Sequence, residues 1–303
     1  RKSHSLFALS GVNEATWTRR GFSALAGEGY LRNPVVYRCV RMIVEAAVRV
    51  PLSVKGAEGT QANHPVLRLI DTPNPRQSGS EVLEAVYSYL HTAGNAYLEA
   101  ALADGEVRGL YALRPDRVSV VAGTDGWPTA YDYKVGGRTV RLDQATAPIG
   151  KVLHLKLFHP LDDHYGLAPL DAAQVSLDTH NAAARWNKAL LDNAARPSGA
   201  LVYSAEAGNL TPDQFQRLKD ELEVGFQGAM NAGRPMVLEG GLDWKSMGLT
   251  PHDMDFIAAK NLAAREIALA FGVPPMLLGI PGDNTYANYA EANRAFWRQN
   301  VVP

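Results

Sequence analysis

Apolar residues first recur at helical spacing in "NPVVYRCVRMIVEAAVRVP", where Val36, Val40, Ile43 and Ala47 share one face. Asn33 is placed to cap this helix, Pro34 suits its first position, and Pro51 ends it. "PLSVKG" follows as a short strand, and "HPVLRLIDTPNP" as a short helix broken by a proline-rich turn. In "SGSEVLEAVYSYLHTAGNAYLEAAL", Ser78 and Glu81 stand at capping-box spacing. That helix runs to Thr92 and turns at Gly94-Asn95 into a strand. "VRGLYALRPDRVSVVAG", "TAYDYKVGGRTVRL" and "KVLHLKLF" are short, β-rich and bounded by turn residues. The first half is therefore α+β, with a sheet over roughly residues 97–158.

The pattern then changes. "LAPLDAAQVSLDTHNAAARWNKALLDNAAR" reads as one helix from Ala168 to Ala195, about 42 Å long, with Leu170, Leu177, Ala184 and Leu191 recurring as a heptad seam. "PSGALVYS" is a strand. Thr211-Pro212-Asp213-Gln214 is a capping box opening the helix "PDQFQRLKDELEVGFQ", and "RPMVLEGGLDWKSM" gives a strand or hairpin. A helix over residues 251–271 follows, stopped by Gly-Val-Pro-Pro. Phe256, Ala259, Ala263, Ile267 and Ala270 form one apolar stripe on it, and Ala258, Leu262 and Leu269 a second, with Lys260, Asn261 and Arg265 between. A surface helix needs one stripe; two alanine-rich stripes fit a helix with close neighbours on both sides, in a wall or in a core. A Pro/Gly/Asp/Asn loop at residues 280–285 and a last helix complete the chain.

Composition narrows the function classes. The chain has 303 residues, enough for one large domain or two to three smaller ones, and is 46% hydrophobic and 20% charged, as globular proteins are. No apolar run is long enough for a transmembrane helix. Residues 1–29 are weakly periodic and rich in Gly, Ser and Arg, which predicts a flexible arm; the sequence does not begin with Met, as a processed or trimmed chain would not. A net charge of −1 argues against a static grip on DNA, which takes a basic surplus, but leaves a loose or sliding contact open. The single cysteine, Cys39, lies on the apolar face of the first long helix and reads as a buried structural thiol.

Candidate chemistry is thin. No Walker A loop, GxGxxG, HExxH, GxSxG or paired CxxC occurs. "HLKLFHPLDDHYG" gathers His154, His159, Asp162, Asp163 and His164, side chains that suit Zn or Mn but that equally serve turns in a Pro/Asp/Gly loop. His252, Asp253 and Asp255 follow Thr250-Pro251, where acidic residues of a first helical turn offset the dipole.

The order and spacing of "VVYRCVRMIVEAAVRVPLSV", "HPVLRLIDTPNP", "TAGNAYLEA", "YALRPDRVSV", "VLHLKLF", "YGLAPLDAA", "NAARPSGAL", "LTPDQFQRLKDEL", "FGVPPMLLG" and "TYANYAEANRAFW" resemble the portal proteins of tailed bacteriophages. Ala168 departs from the Ser common in that family. The resemblance implies a portal-type α+β architecture: an N-terminal arm at 1–29, a wing at 30–166, a first stem helix at 167–197, a β-α-β clip at 198–249, a second stem helix at 250–272, and a tunnel loop with the start of a tunnel helix at 273–303, without the family's C-terminal crown. It implies a non-enzymatic ring of twelve copies at one capsid vertex of a virion, prophage particle or gene transfer agent, assembled in the bacterial cytoplasm. The partners it implies are double-stranded DNA in the channel, the terminase large subunit, the major capsid protein and a head-tail adaptor, with no membrane and no cofactor. Asp283, Asn284, Thr285 and Tyr286 would face DNA. Asp213, Phe215, Gln216, Lys219 and Glu223 would meet clip partners, and Phe256, Ala259, Ala263, Ile267 and Ala270 would pack the stem. Twelve helices about 10 Å apart enclose a bore of roughly 28 Å, wide enough for a duplex. The rival readings are a metal-dependent hydrolase built on residues 159–164 and another head-tail ring protein. The wall reading predicts that His252→Ala leaves assembly and packaging intact and that Ala263→Glu disrupts assembly.

Overall fold

The first elements obey the caps written in the sequence. The computed structural model describes residues 17–18, 21–56, 59–61, 63–144, 150–192, 199–203, 211, 213, 216–217, 220, 242–246, 251–281 and 286–302. Helix α1 spans Phe22–Glu28 and buries Leu25, so the flexible arm expected over 1–29 is corrected at these residues; a single buried leucine in a short helix leaves little periodicity to read. Helix α2, Pro34–Val48, starts on Asn33, whose side-chain oxygen accepts from the amides of Val35 and Val36 at 3.0 and 3.1 Å. It buries Val36, Cys39, Val40, Ile43 and Val44. Strands β1 (Val54–Gly56) and β2 (Gly59–Gln61) pair antiparallel, and α3 spans Pro65–Asp71. Helix α4, Gly79–Ala93, opens with both halves of the Ser78–Glu81 capping box and closes on Gly94 at φ 70°.

Two antiparallel sheets replace the single sheet expected over roughly residues 97–158, because strand alternation in sequence does not say which strands pair. Strand β3 (Asn95–Ala103) lies between β4 (Glu106–Leu113) and, after the intervening strands, β8 (Val152–Lys156). Strands β5 (Val118–Ala122), β6 (Pro128–Val135) and β7 (Arg138–Asp143) form the second sheet. The β3–β4 and β6–β7 hairpins turn on Asp104-Gly105 and Gly136-Gly137, all four residues at positive φ, as the twist of a two-residue hairpin requires. Alternation along β3 decides the layering. Tyr97 points into a core with Leu113, Val118, Tyr131, Leu142 and Val152, shared by the two sheets. Ala96 and Leu98 point the other way, onto Val82 and Val86 of α4. Strand β3 is thus covered on both faces, by the second sheet and by α4.

Helices α5 (Pro169–Ala172) and α6 (Gln174–Asp192) replace the single helix expected from Ala168 to Ala195, with a break at Ala173, whose ψ is 3°. No Gly or Pro marks the break, so the heptad seam runs through it, and Leu170 and Leu177 are both buried. Strands β9 (Gly199–Tyr203) and β10 (Leu242–Ser246) pair antiparallel, and α7 spans Pro251–Ala270. A 3-10 turn at Pro275–Leu278, helix α8 (Tyr286–Phe296) and a π turn at Trp297–Val301 follow. The chain divides into two compact units, residues 1–178 with 267–303, and residues 179–266. The class is α+β, as the sequence indicates.

Candidate functional site

The histidine and aspartate cluster resolves into turn and core chemistry. His154 lies on β8, stacked on Tyr97 with ring centroids 4.3 Å apart. Asn95 spends its amide nitrogen on the carbonyls of Ala93 and Gly166, leaving its oxygen to accept from His154 Nε2 at 3.0 Å. His154 Nδ1 then accepts from the Tyr131 hydroxyl at 3.4 Å. Burial, with the charges of Lys156 and His164, pushes His154 down to about 4 and keeps the ring neutral. The Asp162 carboxylate accepts from the amides of Tyr165 and His164 at 2.9 and 2.7 Å, and those bonds hold it below the usual carboxylate range. His159 Nδ1 accepts from the Leu161 amide at 3.1 Å. Most of these groups thus close turns or fill the core. Among the described residues no group of three or more His, Cys, Asp or Glu is placed to hold a metal. Asn95 joins β3, β8 and the Gly166 loop, and nothing in the sequence marks it beyond its place after a C-capping glycine.

Helix α7 carries the two predicted stripes with opposite fates in the single chain. Ala263 and Ile267 are buried, as are Ala264 and Ala268, while Ala259 and Ala270 are half-buried. The second stripe is exposed: Ala258 lies open, Leu262 is 58% exposed and Leu269 78%, with Ile257 beside them at 62%. The helix ends in a Schellman motif. Gly272, at φ 68°, donates to the Leu269 carbonyl at 2.9 Å, and Val273 to that of Ala268 at 2.9 Å. Asn300 then ties the Phe271 carbonyl to the π turn at 3.0 Å. The side chains of Phe256, His252, Asp253 and Asp255 lie outside the described residues.

The other candidates are placed only in part. Asp213 and Gln216 are exposed, and Gln216 donates to Asp220 at 2.9 Å. Phe215, Lys219 and Glu223, and the capping box at 211–214 as a whole, lie outside the described residues. So do Asp283, Asn284 and Thr285, while Tyr286 begins α8 with its side chain undescribed. On α6, Asp178 accepts from the Thr18 amide at 3.0 Å and from the Thr18 hydroxyl. His180 is buried, and desolvation with the Lys260 charge lowers its pKa. No described helix is long and apolar enough to cross a membrane.

Comparison with known proteins gives this arrangement a context. Residues 34–303 match the family model described as phage portal protein. A protein of Rickettsia bellii is 43% identical over 91% of this chain and 72% of its own length. Two solved structures align over nearly the whole chain. The neck of an empty gene transfer agent particle, computed with C6 symmetry, is 55% identical over 98% of this chain and 80% of that one, with a TM-score of 0.76. The neck of the native particle, computed with C12 symmetry, is 54% identical over 95% of this chain and 78% of that one, with a TM-score of 0.73.

Proposed function

The chain belongs to the phage portal protein family, and on that premise we propose that it forms a twelvefold ring at one vertex of a phage-like particle, a conduit for double-stranded DNA. The observation that carries this reading is the likeness of nearly the whole chain to a subunit of a C12-symmetric gene transfer agent neck. The family is one of structural ring proteins, and in this reading the chain performs no catalysis. The terminase large subunit docks on the ring during packaging and a head-tail adaptor replaces it afterwards, both through the region of residues 198–249. The major capsid protein surrounds the ring, and assembly takes place in the bacterial cytoplasm.

Charge supports a conduit. Each phosphate contact adds affinity, so a wall that lets DNA slide must avoid a basic surplus, and the net charge of −1 meets that condition. Asp283, Asn284, Thr285 and Tyr286 face DNA in this scheme. Asp213, Phe215, Gln216, Lys219 and Glu223 meet the docking partners, and the apolar stripes of α7 pack the stem.

Native mass spectrometry of the purified chain, with imaging of the assembled particles, tests the reading. A closed ring of twelve copies around an open bore is expected. A chain that stays monomeric with and without its capsid protein would overturn it.

A further inference from the structure

A cyclic ring needs two different surfaces on each copy, one for each neighbour, because a self-complementary patch closes a dimer and stops. The first unit carries two unlike apolar features at its surface. Beyond β8 a loop carries Phe158 and Leu161 into solvent, 85% and 92% exposed. At the other surface a cavity of about 390 Å³ opens among the end of α2, α3 and the start of α4. Val48, Val50, Leu52, Leu67, Ile70 and Leu83 supply its apolar wall.

Topology places the two far apart. In the sheet order β4-β3-β8, the loop extends from the β8 edge, just past Lys156, which pairs with the first residue of β3. The groove lies toward the β4 edge: the Leu110 amide of β4 donates to the Pro73 carbonyl, at 2.8 Å, just after α3. The groove also sits at the start of α4, whereas the loop sits near its end, where the Leu157 amide donates to the Gly94 carbonyl at 2.9 Å. The groove therefore lies at the start of α4 and toward the β4 edge, and the loop at the end of α4 and beyond the β8 edge, so the two do not meet within a chain.

Their charges also match. Asp163 is exposed on the loop and Arg68 is exposed in the groove wall, and neither side chain enters an ion pair among the described residues. Lys156 beside the loop and Asp71 in the groove repeat the complement in the opposite sense.

We infer that the Phe158–Asp163 loop of each copy docks in the groove formed by α2, α3 and α4 of the next copy, with Phe158 and Leu161 on the apolar wall and Asp163 paired to Arg68. The occupant is a second copy of this chain because the C12-symmetric neck holds its close relative in a ring, where each copy meets its two identical neighbours through unlike surfaces. This contact rests on the ring reading above.

The test uses the complete chain, with ring formation followed by native mass spectrometry over a protein dilution series. Phe158→Ser with Leu161→Ser should raise the concentration needed for rings by about tenfold or more while the thermal melt of the unassembled chain stays unchanged. Asp163→Arg alone and Arg68→Asp alone should each weaken assembly, and the two together should restore it. Leu161→Cys with Leu52→Cys should give, on oxidation, a ladder of covalently linked copies reaching beyond dimers, with buried Cys39 taking no part. Rings that form normally in the serine variant, with no rescue by the charge exchange and no ladder, would overturn the contact and leave the ring reading standing. Failure of the unaltered chain to form rings would overturn both.

Discussion

Single buried side chains set how this protein responds to reagents and pH. Burial pushes the Cys39 thiol up to about 12, against a smaller opposing effect of Arg38. The thiolate that reacts is therefore absent in the native chain, and a thiol reagent at neutral pH should label Cys39 only as fast as the chain unfolds. Labelling followed across a urea gradient checks this; rapid labelling without urea would contradict the burial. His91 is pushed down to about 4 by burial, and His154 moves the same way. Both remain neutral in the folded chain, whereas the unfolded chain takes up protons as pH drops below about 6.5. Their contribution to stability is complete above that pH and is lost progressively toward pH 4. The melting temperature should accordingly fall over this interval, and His91→Leu should flatten part of the fall. A melting temperature that stays level from pH 6.5 to 4 would count against neutral buried rings.

Elements were legible in the sequence wherever a local device writes their ends. Asn33, the Ser78–Glu81 box and the Gly94 turn act through bonds or backbone angles within a few residues, so spacing alone reveals them. Asn33→Ala should cost about 1 kcal/mol, measured as a shift in urea midpoint. Elements held by distant contacts were not legible. The helix break at Ala173 has no local breaker, and α1 is anchored by buried Leu25 and by the edge contact of Phe22 with Tyr89. The same limit hid the crossing at Gly94 and Gly166. A Cβ on Gly166 would lie 2.1 Å from the Gly94 carbonyl oxygen and 2.7 Å from that of Leu157. Both neighbours are backbone and cannot swing aside, so Gly166→Ala should cost more than about 3 kcal/mol in chemical unfolding. A near-neutral change would mean that the two backbones can part at this crossing. The candidate site followed the same division. The sequence showed that the His/Asp loop could be turn chemistry, but which Asp162 and His159 atoms close those turns depends on folded geometry.

At the scale of the whole molecule, the two stripes of α7 differ in what covers them within one chain. Both stripes are apolar in sequence, and periodicity cannot tell a face covered by the same chain from one covered by a neighbour. The structure divides them: Ala263 and Ile267 are buried in the single chain, while Leu262 and Leu269 are exposed. A carboxylate at position 263 would have to enter the interior without a partner, which costs several kcal/mol. Ala263→Glu should therefore lower the melting temperature of the unassembled chain, and any loss of rings would follow from that. Leu262→Glu with Leu269→Glu places charge on a face already in water, so the unassembled chain should stay within about 0.5 kcal/mol of its normal stability. In a ring whose stem helices stand side by side, the same charges would be buried between neighbours and assembly should fail. Urea unfolding and native mass spectrometry on the two variants give the two readouts separately. If the Leu262/Leu269 variant assembles as well as the unaltered chain, this face of α7 does not line a subunit contact.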